Sequence, residues 1–397
     1  MDRSELFSLY RAHVNAGKVD VFERYGFDAV MGRREGSRFW DADDDRVWFD
    51  CHGNGGVFNL GHRHRGIIDA VVAALADGDI GNHHLVSSLR ARLALRLAGT
   101  TGDALPGVVF GVSGGEAVDL AIKVCRAATG RRRVVSVLGG YHGHTGLALA
   151  AGDAAYRDPF LSSSPEFVQV PFGDLDAMER AVDSTTAAVI VEPVPATLGM
   201  PIPDPGYLPG LRQITRAAGA KLVVDEVQTG LGRTGAMWAV EHWSIRPDAL
   251  VTGKGLSGGI YPISATLMTK ELHRVFDEHP FSHVSTFGGA EPGCAAALAV
   301  LDVVEAPGFL PRVRELGARF AAGFSGLPFE LRRLGMMMGF RFPAADAGIL
   351  AAKALFDRGI FAVYANNDTA VLQFLPPLTI EDAEIDQIVA IVQETFS

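Results

Sequence analysis

Lys221-Leu222-Val223-Val224-Asp225-Glu226-Val227-Gln228, followed by Thr229-Gly230-Leu231-Gly232-Arg233-Thr234-Gly235, is an apolar run that ends on an acid and enters a glycine-rich turn. Consecutive aliphatic residues bounded by turn signals read as a strand buried on both faces. Asp225 falls at its carboxyl end, the edge where open α/β sheets bind ligands. A carboxylate there is costly to bury unless it meets a cation or a hydrogen-bond donor. An Asp capping the next turn fits the same position equally well.

Working outward, short β-branched runs at 108–112, 134–138, 187–191, 222–224, 249–251 and 263–268 alternate with helical patterns. That alternation predicts an α/β fold with a mostly parallel sheet covered by helices. Upstream, Ile67, Ile68, Val71, Val72 and Leu75 recur at helical spacing. Downstream, Val313, Leu316, Phe320 and Phe324 mark one helix. Ile385, Ile388, Val389, Val392 and Phe396 mark another, with Thr379 and Asp382 in a capping-box-like order before it. The segments 331–342 and 369–375 read as strands between them, which predicts a smaller α+β lobe.

The chain has 397 residues, 48% of them hydrophobic and 21% charged, enough apolar surface for an ordered core and a length that suggests two or three domains. Its 36 basic and 46 acidic residues give a net charge of −10. No basic run is present to neutralise a phosphate backbone, so no nucleic-acid partner is expected. The 3 cysteines (Cys51, Cys125, Cys294) are far apart, so neither a disulfide framework nor a metal site is expected. An acid at position 2 and the lack of an apolar segment behind it argue against a signal peptide. The longest apolar run, around 294–304, is broken by Asp302, so no membrane span and a cytoplasmic location are expected.

Two further glycine-rich places carry chemistry, although neither G-x-G-x-x-G nor a P-loop occurs. Val112-Ser113-Gly114-Gly115-Glu116 follows a strand and opens a helix whose apolar face is Ala117, Val118, Ala121, Ile122 and Cys125. Free N–H groups at such a helix start suit a phosphate, and an ordinary Ser cap reads the same way. Thr252-Gly253-Lys254-Gly255-Leu256-Ser257 puts a lone lysine among small residues at the end of the next apolar run. A desolvated lysine there can form a Schiff base, while a lysine reaching to solvent is the plain alternative. Together the three supply a phosphate cradle, an acid for a ring nitrogen and an amine for an aldehyde, which is what pyridoxal phosphate requires.

With these residues in hand, the sequence resembles the class III (ω-type) aminotransferases of the fold-type I pyridoxal phosphate enzymes. The resemblance spans nearly the whole chain, from Glu35-Gly36 and Trp40-Asp41 through Asn59-Leu60-Gly61-His62 to Phe374-Leu375-Pro376-Pro377-Leu378. Its most specific stretch is 191–254, with Glu192-Pro193-Val194, Pro205-Gly206-Tyr207-Leu208 and Asp225-Glu226-Val227-Gln228-Thr229-Gly230 ahead of Lys254.

The resemblance implies that Lys254 holds the cofactor as a Schiff base and then moves the substrate proton, and that Asp225 keeps the ring nitrogen protonated. Ser113, Gly114 and Gly115 match the phosphate loop. Tyr141-His142-Gly143 matches a motif that sets Tyr141 over the ring, Gln228 a residue near the phenolic oxygen, and Glu192 a supporting position. Ser285-Thr286-Phe287-Gly288-Gly289 matches a segment that reaches the neighbouring subunit's cofactor, implying a homodimer with shared sites. The implied domains are 1–55 and 296–397 as the two parts of a small domain, around a large cofactor-binding domain at 56–295. Phe58, His83 and His84 lie in segments that face substrate in relatives. Racemases and aminomutases use the same scaffold and the same lysine and acid.

Two departures bear on the substrate. Many relatives that use glutamate or 2-oxoglutarate carry an α-carboxylate-binding arginine where this chain has Gln373, and its glutamate partner where this chain has Thr197. Losing both is electrostatically consistent, since either charge alone in a desolvated pocket would be costly. The expected donor is an amine without an α-carboxylate, paired with a carbonyl acceptor. Alternatively Arg33, Arg34 or Arg341 binds an acid in another pose.

Overall fold

A computed structural model describes residues 1–43, 45–80 and 85–397. Its centre is a seven-stranded sheet in the spatial order Gly107–Gly111, Ser264–Met268, Ala249–Thr252, Lys221–Asp225, Thr186–Val191, Arg133–Val137, Phe167–Val170. Neighbours in the Ala249–Thr252 to Phe167–Val170 half run parallel, and Ser264–Met268 is antiparallel to both of its neighbours. Every residue of Thr186–Val191, Ala249–Thr252 and Ser264–Met268 is buried, as expected of strands with helices on both faces. The half-buried strand Phe167–Val170 lies at the sheet edge, where only one neighbour covers it, and its short polar-interrupted pattern hides it in the sequence.

One helix on this sheet illustrates how the chain encodes its packing. Gly114–Thr129 buries Ala117, Val118, Ala121, Ile122 and Cys125, the face expected from their spacing, and ends on Gly130 in the left-handed conformation. The upstream helix runs Arg65–Asp77 and buries Ile67 and Val71.

The small lobe draws on both chain ends. Met31–Glu35, Arg38–Asp41 and Val47–Asp50 form a sheet completed by Ile360–Phe361, which pairs in parallel with Val47–Asp50. A second four-stranded sheet orders Glu330–Leu334, Met337–Arg341, Asp368–Phe374 and Val363–Ala365. Phe49 and Cys51 share one apolar cluster with Val313, Phe320, Phe340, Phe374 and Ile388.

Three expectations need correction. The boundary at 295/296 falls inside the helix Glu291–Val304, whose buried residues Cys294, Ala296, Ala297, Val300, Leu301 and Val304 all belong to the large core. The segment 331–342 is a hairpin rather than one strand, because Gly335, at φ 60, turns the chain back. The last helix is Asp382–Phe396, and Glu384 accepts the Glu381 N–H at 3.2 Å, leaving Thr379 outside the cap.

Arg233 ties the lobes together. It is 0% exposed and donates to Asn59 Oδ1 at 2.5 Å, Pro376 O at 2.7 Å and Met336 O at 3.2 Å. Burial pushes its guanidinium down to about 9. Asn59 in turn lies against Gly255, beside Lys254, with 2.7 Å between its Nδ2 and the place a Cβ on Gly255 would take.

Candidate active site

Sheet register brings the candidate residues to one edge. Asp225, the last residue of its strand, pairs with Val251, so Lys254 emerges three residues later beside it. Ser264 enters the sheet opposite Gly111, which places Ser113 at the same edge. Tyr141 and His142 follow Arg133–Val137, and Glu192 follows Thr186–Val191, two strands that run parallel to that of Asp225. All of them therefore gather at the carboxyl edge of the sheet, where ligands bind in this architecture.

Asp225 is 4% exposed. Its Oδ2 accepts His142 Nδ1–H at 2.8 Å and its Oδ1 accepts the Val227 N–H at 3.1 Å. Burial alone would lower the His142 pKa, but the bond to Asp225 and the charges of Asp225 and Glu192 outweigh it, so the pKa is raised. His142 Nε2 is sealed from solvent and has no partner.

Lys254 Nζ donates to Gln228 Oε1 at 2.8 Å. Withdrawal from water lowers its pKa, opposed by the charges of Glu192 and Asp225, which do not restore the ordinary value. Its backbone sits at φ 41, a strained conformation for a side chain with a Cβ. Gln228 Nε2 is also buried without a partner.

Glu192 is 6% exposed and accepts the Tyr141 N–H at 2.9 Å. Burial pushes its carboxyl from the ordinary 4.5 up to about 7, against the opposing pull of His142, the Tyr141 N–H and Lys254. A glutamate in the unfolded chain loses its proton near 4.5 while the native one keeps it to about 7. Across that window the native state binds the extra proton, so stability falls as pH rises. Glu192→Gln is accordingly expected to flatten the decline in apoprotein melting temperature between about pH 5 and pH 7. A slope identical to that of the parent would assign the decline to another group.

The helix start at Ser113 is built for close approach. Ser113 caps the helix by accepting the Glu116 N–H at 3.2 Å, so the cap reading holds and the hydroxyl remains exposed. A Cβ on Gly143 would stand 2.6 Å from Gly115 Cα, and one on Gly114 2.9 Å from Val227 Cγ1. Ser264 Oγ and Thr252 Oγ1, beside this cradle, are buried and unpartnered. The donor set fits pyridoxal phosphate: an acid held by an imidazole, an enclosed amine, a glycine-lined helix start and several orphaned buried polar atoms.

Sequence reasoning missed a strained turn against the lysine. Gly53, Asn54, Gly55 and Gly56 all have left-handed φ, at 57, 50, 68 and 93, and a Cβ on Gly55 would stand 3.4 Å from Lys254 Nζ. Asp50 anchors the turn by accepting the Gly53 N–H at 2.7 Å and His62 Nε2–H at 2.8 Å. Three glycines in four residues was the available signal.

The remaining candidates are spread out. Gln373 is 6% exposed, and its Nε2 donates to Tyr364 O at 3.4 Å. Thr197 Oγ1 donates to Gly139 O at 3.1 Å. Phe58 instead packs on His62, ring centroids 4.2 Å apart, and lines a cavity of about 490 Å³ with Arg33, Arg34 and Arg63. Arg33 also stacks on Trp40, and Arg341 pairs with Glu330 at 3.5 Å. Ser285 Oγ accepts the Gly288 N–H at 3.1 Å, while Thr286 is exposed on this chain. His83 and His84 lie outside the described residues.

The family model for class III aminotransferases matches residues 23–396. The chain is similar to an uncharacterised aminotransferase of Archaeoglobus fulgidus, 49% identical over 97% of this chain and 92% of the relative. It is also similar to a putrescine aminotransferase of Pectobacterium atrosepticum, 35% identical over 95% and 85% of the two chains. A solved ornithine aminotransferase from Toxoplasma gondii, with partial occupancy of pyridoxal phosphate at its active site, superposes with a TM-score of 0.86. It shares 27% identity, over 93% of this chain and 90% of that one.

Proposed function

The chain belongs to the class III aminotransferases, pyridoxal phosphate enzymes, and from that premise we propose that its amine donor lacks an α-carboxylate. The observation that carries this reading is the neutral pair Gln373 and Thr197. Both side chains bond to backbone carbonyls, of Tyr364 and Gly139, instead of forming a guanidinium–carboxylate pair.

When bound, the cofactor supplies an aldehyde that takes up the amine and a ring that accepts electrons from the carbon being deprotonated. Lys254 Nζ moves the proton at that carbon. Its lowered pKa increases the share of neutral amine available as a base near neutral pH. Gln228 Oε1 holds the amine in place before the reaction. Asp225 keeps a positive charge on the ring nitrogen, and the His142 bond fixes the direction of its carboxylate. The N–H groups at Ser113–Gly115 bind the phosphate, Tyr141 covers the ring, and Glu192 secures the Tyr141 backbone.

Ser285 and Thr286 reach the phosphate of a second copy in a homodimer. Support comes from the apolar surface around them on the single chain, where Phe281 is 82%, Val284 55% and Phe287 49% exposed.

Gln373→Arg tests the substrate reading. A guanidinium there is expected to raise kcat/KM for glutamate relative to simple amines by about 10- to 100-fold, the value of one to two charge-assisted hydrogen bonds. Stopped-flow half-reactions with each donor provide the ratio. A parent enzyme that already prefers glutamate, with a ratio unmoved by the substitution, would contradict the proposal.

A further inference from the structure

Resting on the reading of Lys254 as the reacting amine, we infer that Arg233 is a positioning residue for the reaction: through Asn59 it holds the glycine turn that shields Lys254 from water. The guanidinium is fully buried and no carboxylate acts on it, so burial alone sets its lowered pKa. A charge in such a place is costly unless its donors are well satisfied. Its hydrogen bonds go to neutral oxygens on two sides. Nε and Nη2 both donate to Asn59 Oδ1, at 3.2 and 2.5 Å, and Nη1 donates to Pro376 O at 2.7 Å and Met336 O at 3.2 Å. A planar fork holds both sides at once, a geometry that a lysine does not reproduce.

Asn59 stands between Arg233 and the lysine segment. With Oδ1 taken by the fork, Nδ2 faces Gly255, where a Cβ would stand 2.7 Å from it and 3.3 Å from Gly56 O. A Cβ on Gly56, at φ 93, would stand 3.3 Å from Asn59 Oδ1. The Asn59 amide is therefore packed against the backbone of the residue after Lys254 and of the residue after Gly55. Gly55 is the point of closest approach to the amine, its Cβ position lying 3.4 Å from Lys254 Nζ and 3.8 Å from Gln228 Nε2. The segment on the far side of the fork runs along the same turn. The Leu375 N–H donates to Cys51 O at 2.5 Å and the Leu378 N–H to Asn59 O at 2.7 Å, directly after the strand that carries Gln373. One guanidinium thus locks the turn over the amine to the segment that follows Gln373.

The shielding matters because withdrawal from water is the foremost cause of the lowered Lys254 pKa, with the charges of Glu192 and Asp225 opposing it. His52, whose carbonyl accepts the Gly55 N–H at 3.0 Å, is the titratable group on the turn itself. Burial pushes its imidazole down to about 4, so it is neutral near neutral pH. A turn released from Asn59 would admit water to Nζ while Glu192 and Asp225 kept their places. The amine pKa would then rise toward its ordinary value, and the amine would lose its fixed position for proton transfer.

Arg233→Lys and Asn59→Ala test this. In the full-length apoprotein, competitive acetylation with acetic anhydride over a pH series, read by mass spectrometry at the peptide containing Lys254, gives the titration midpoint of that one amine. The parent midpoint is expected below the ordinary 10.5, and both substitutions are expected to move it upward. In the holoenzymes, stopped flow should find the amine half-reaction slowed about 10- to 100-fold, the scale of a misplaced reacting group. Asn59→Ala keeps the Arg233 bonds to Pro376 and Met336, and decides the matter if Arg233→Lys does not fold. If Arg233 only supports the fold, the variants melt at lower temperature while the folded protein keeps the parent midpoint and rate. An unmoved midpoint or an unmoved rate in the folded variants overturns this inference and leaves Lys254 in its role. Failure of the underlying reading looks different: a Lys254→Ala enzyme that keeps its rate.

Discussion

Lys254→Ala is expected to lose at least about 10³-fold in the amine half-reaction, within the range for removing a positioned proton-transfer group, and to lose the visible absorbance of the lysine-bound cofactor. The expectation rests on the absence of a substitute. Lys254 Nζ is held by Gln228 Oε1 at 2.8 Å, and the left-handed turn at Gly55 closes over it, leaving no second amine in contact among the described residues. Added methylamine is expected to restore part of the rate, since the space vacated by the side chain admits a small base. Rates within tenfold of the parent, measured by stopped flow with bound cofactor verified, would remove Lys254 from the reaction.

Asp225→Asn is expected to slow the same half-reaction by about 10²- to 10³-fold, comparable to deleting one preorganised electrostatic contact, with the fold unchanged. The amide keeps the shape and can still accept the Val227 N–H, but it removes the charge that balances a protonated ring nitrogen. A second consequence follows for His142. Burial alone lowers its pKa, and the bond to Asp225 is the foremost influence holding it up. In the Asp225→Asn variant, histidine titration followed by NMR should therefore find the His142 pKa reduced. If the rate fell while His142 titrated as in the parent, Asp225 would be acting by some route other than the contact at 2.8 Å.

The large sheet was legible because its strands are buried on both faces and so read as unbroken aliphatic runs, from 187–191 to 263–268. The edge strand Phe167–Val170 was not, since only part of it is covered. Nothing in the periodicity says that Ser264–Met268 runs against its neighbours, a matter decided by the connection through Lys254–Ser257. Lys254, Asp225 and the Ser113 helix start were legible as separate features, each with an ordinary alternative. The resemblance to a family joined them, and sheet register explains why they meet.

The contacts that tune the site were not legible, because they link distant segments. Asp50 holds His62 and the 53–56 turn, Arg233 ties Asn59 to Pro376, and Gly139 O gathers Thr197 and Asn367. Phe58 was legible only as part of a motif. Its ring packs on His62 and lines the cavity with Arg33, Arg34 and Arg63.

The most direct test of the account is to reduce the holoenzyme with borohydride, digest it and map the cofactor-bearing peptide by mass spectrometry. The account predicts a single modified lysine, Lys254, in the segment Ala249–Ser257, and no adduct in Lys254→Ala. An adduct on any other lysine of the parent enzyme, with Lys254 recovered unmodified, would contradict it.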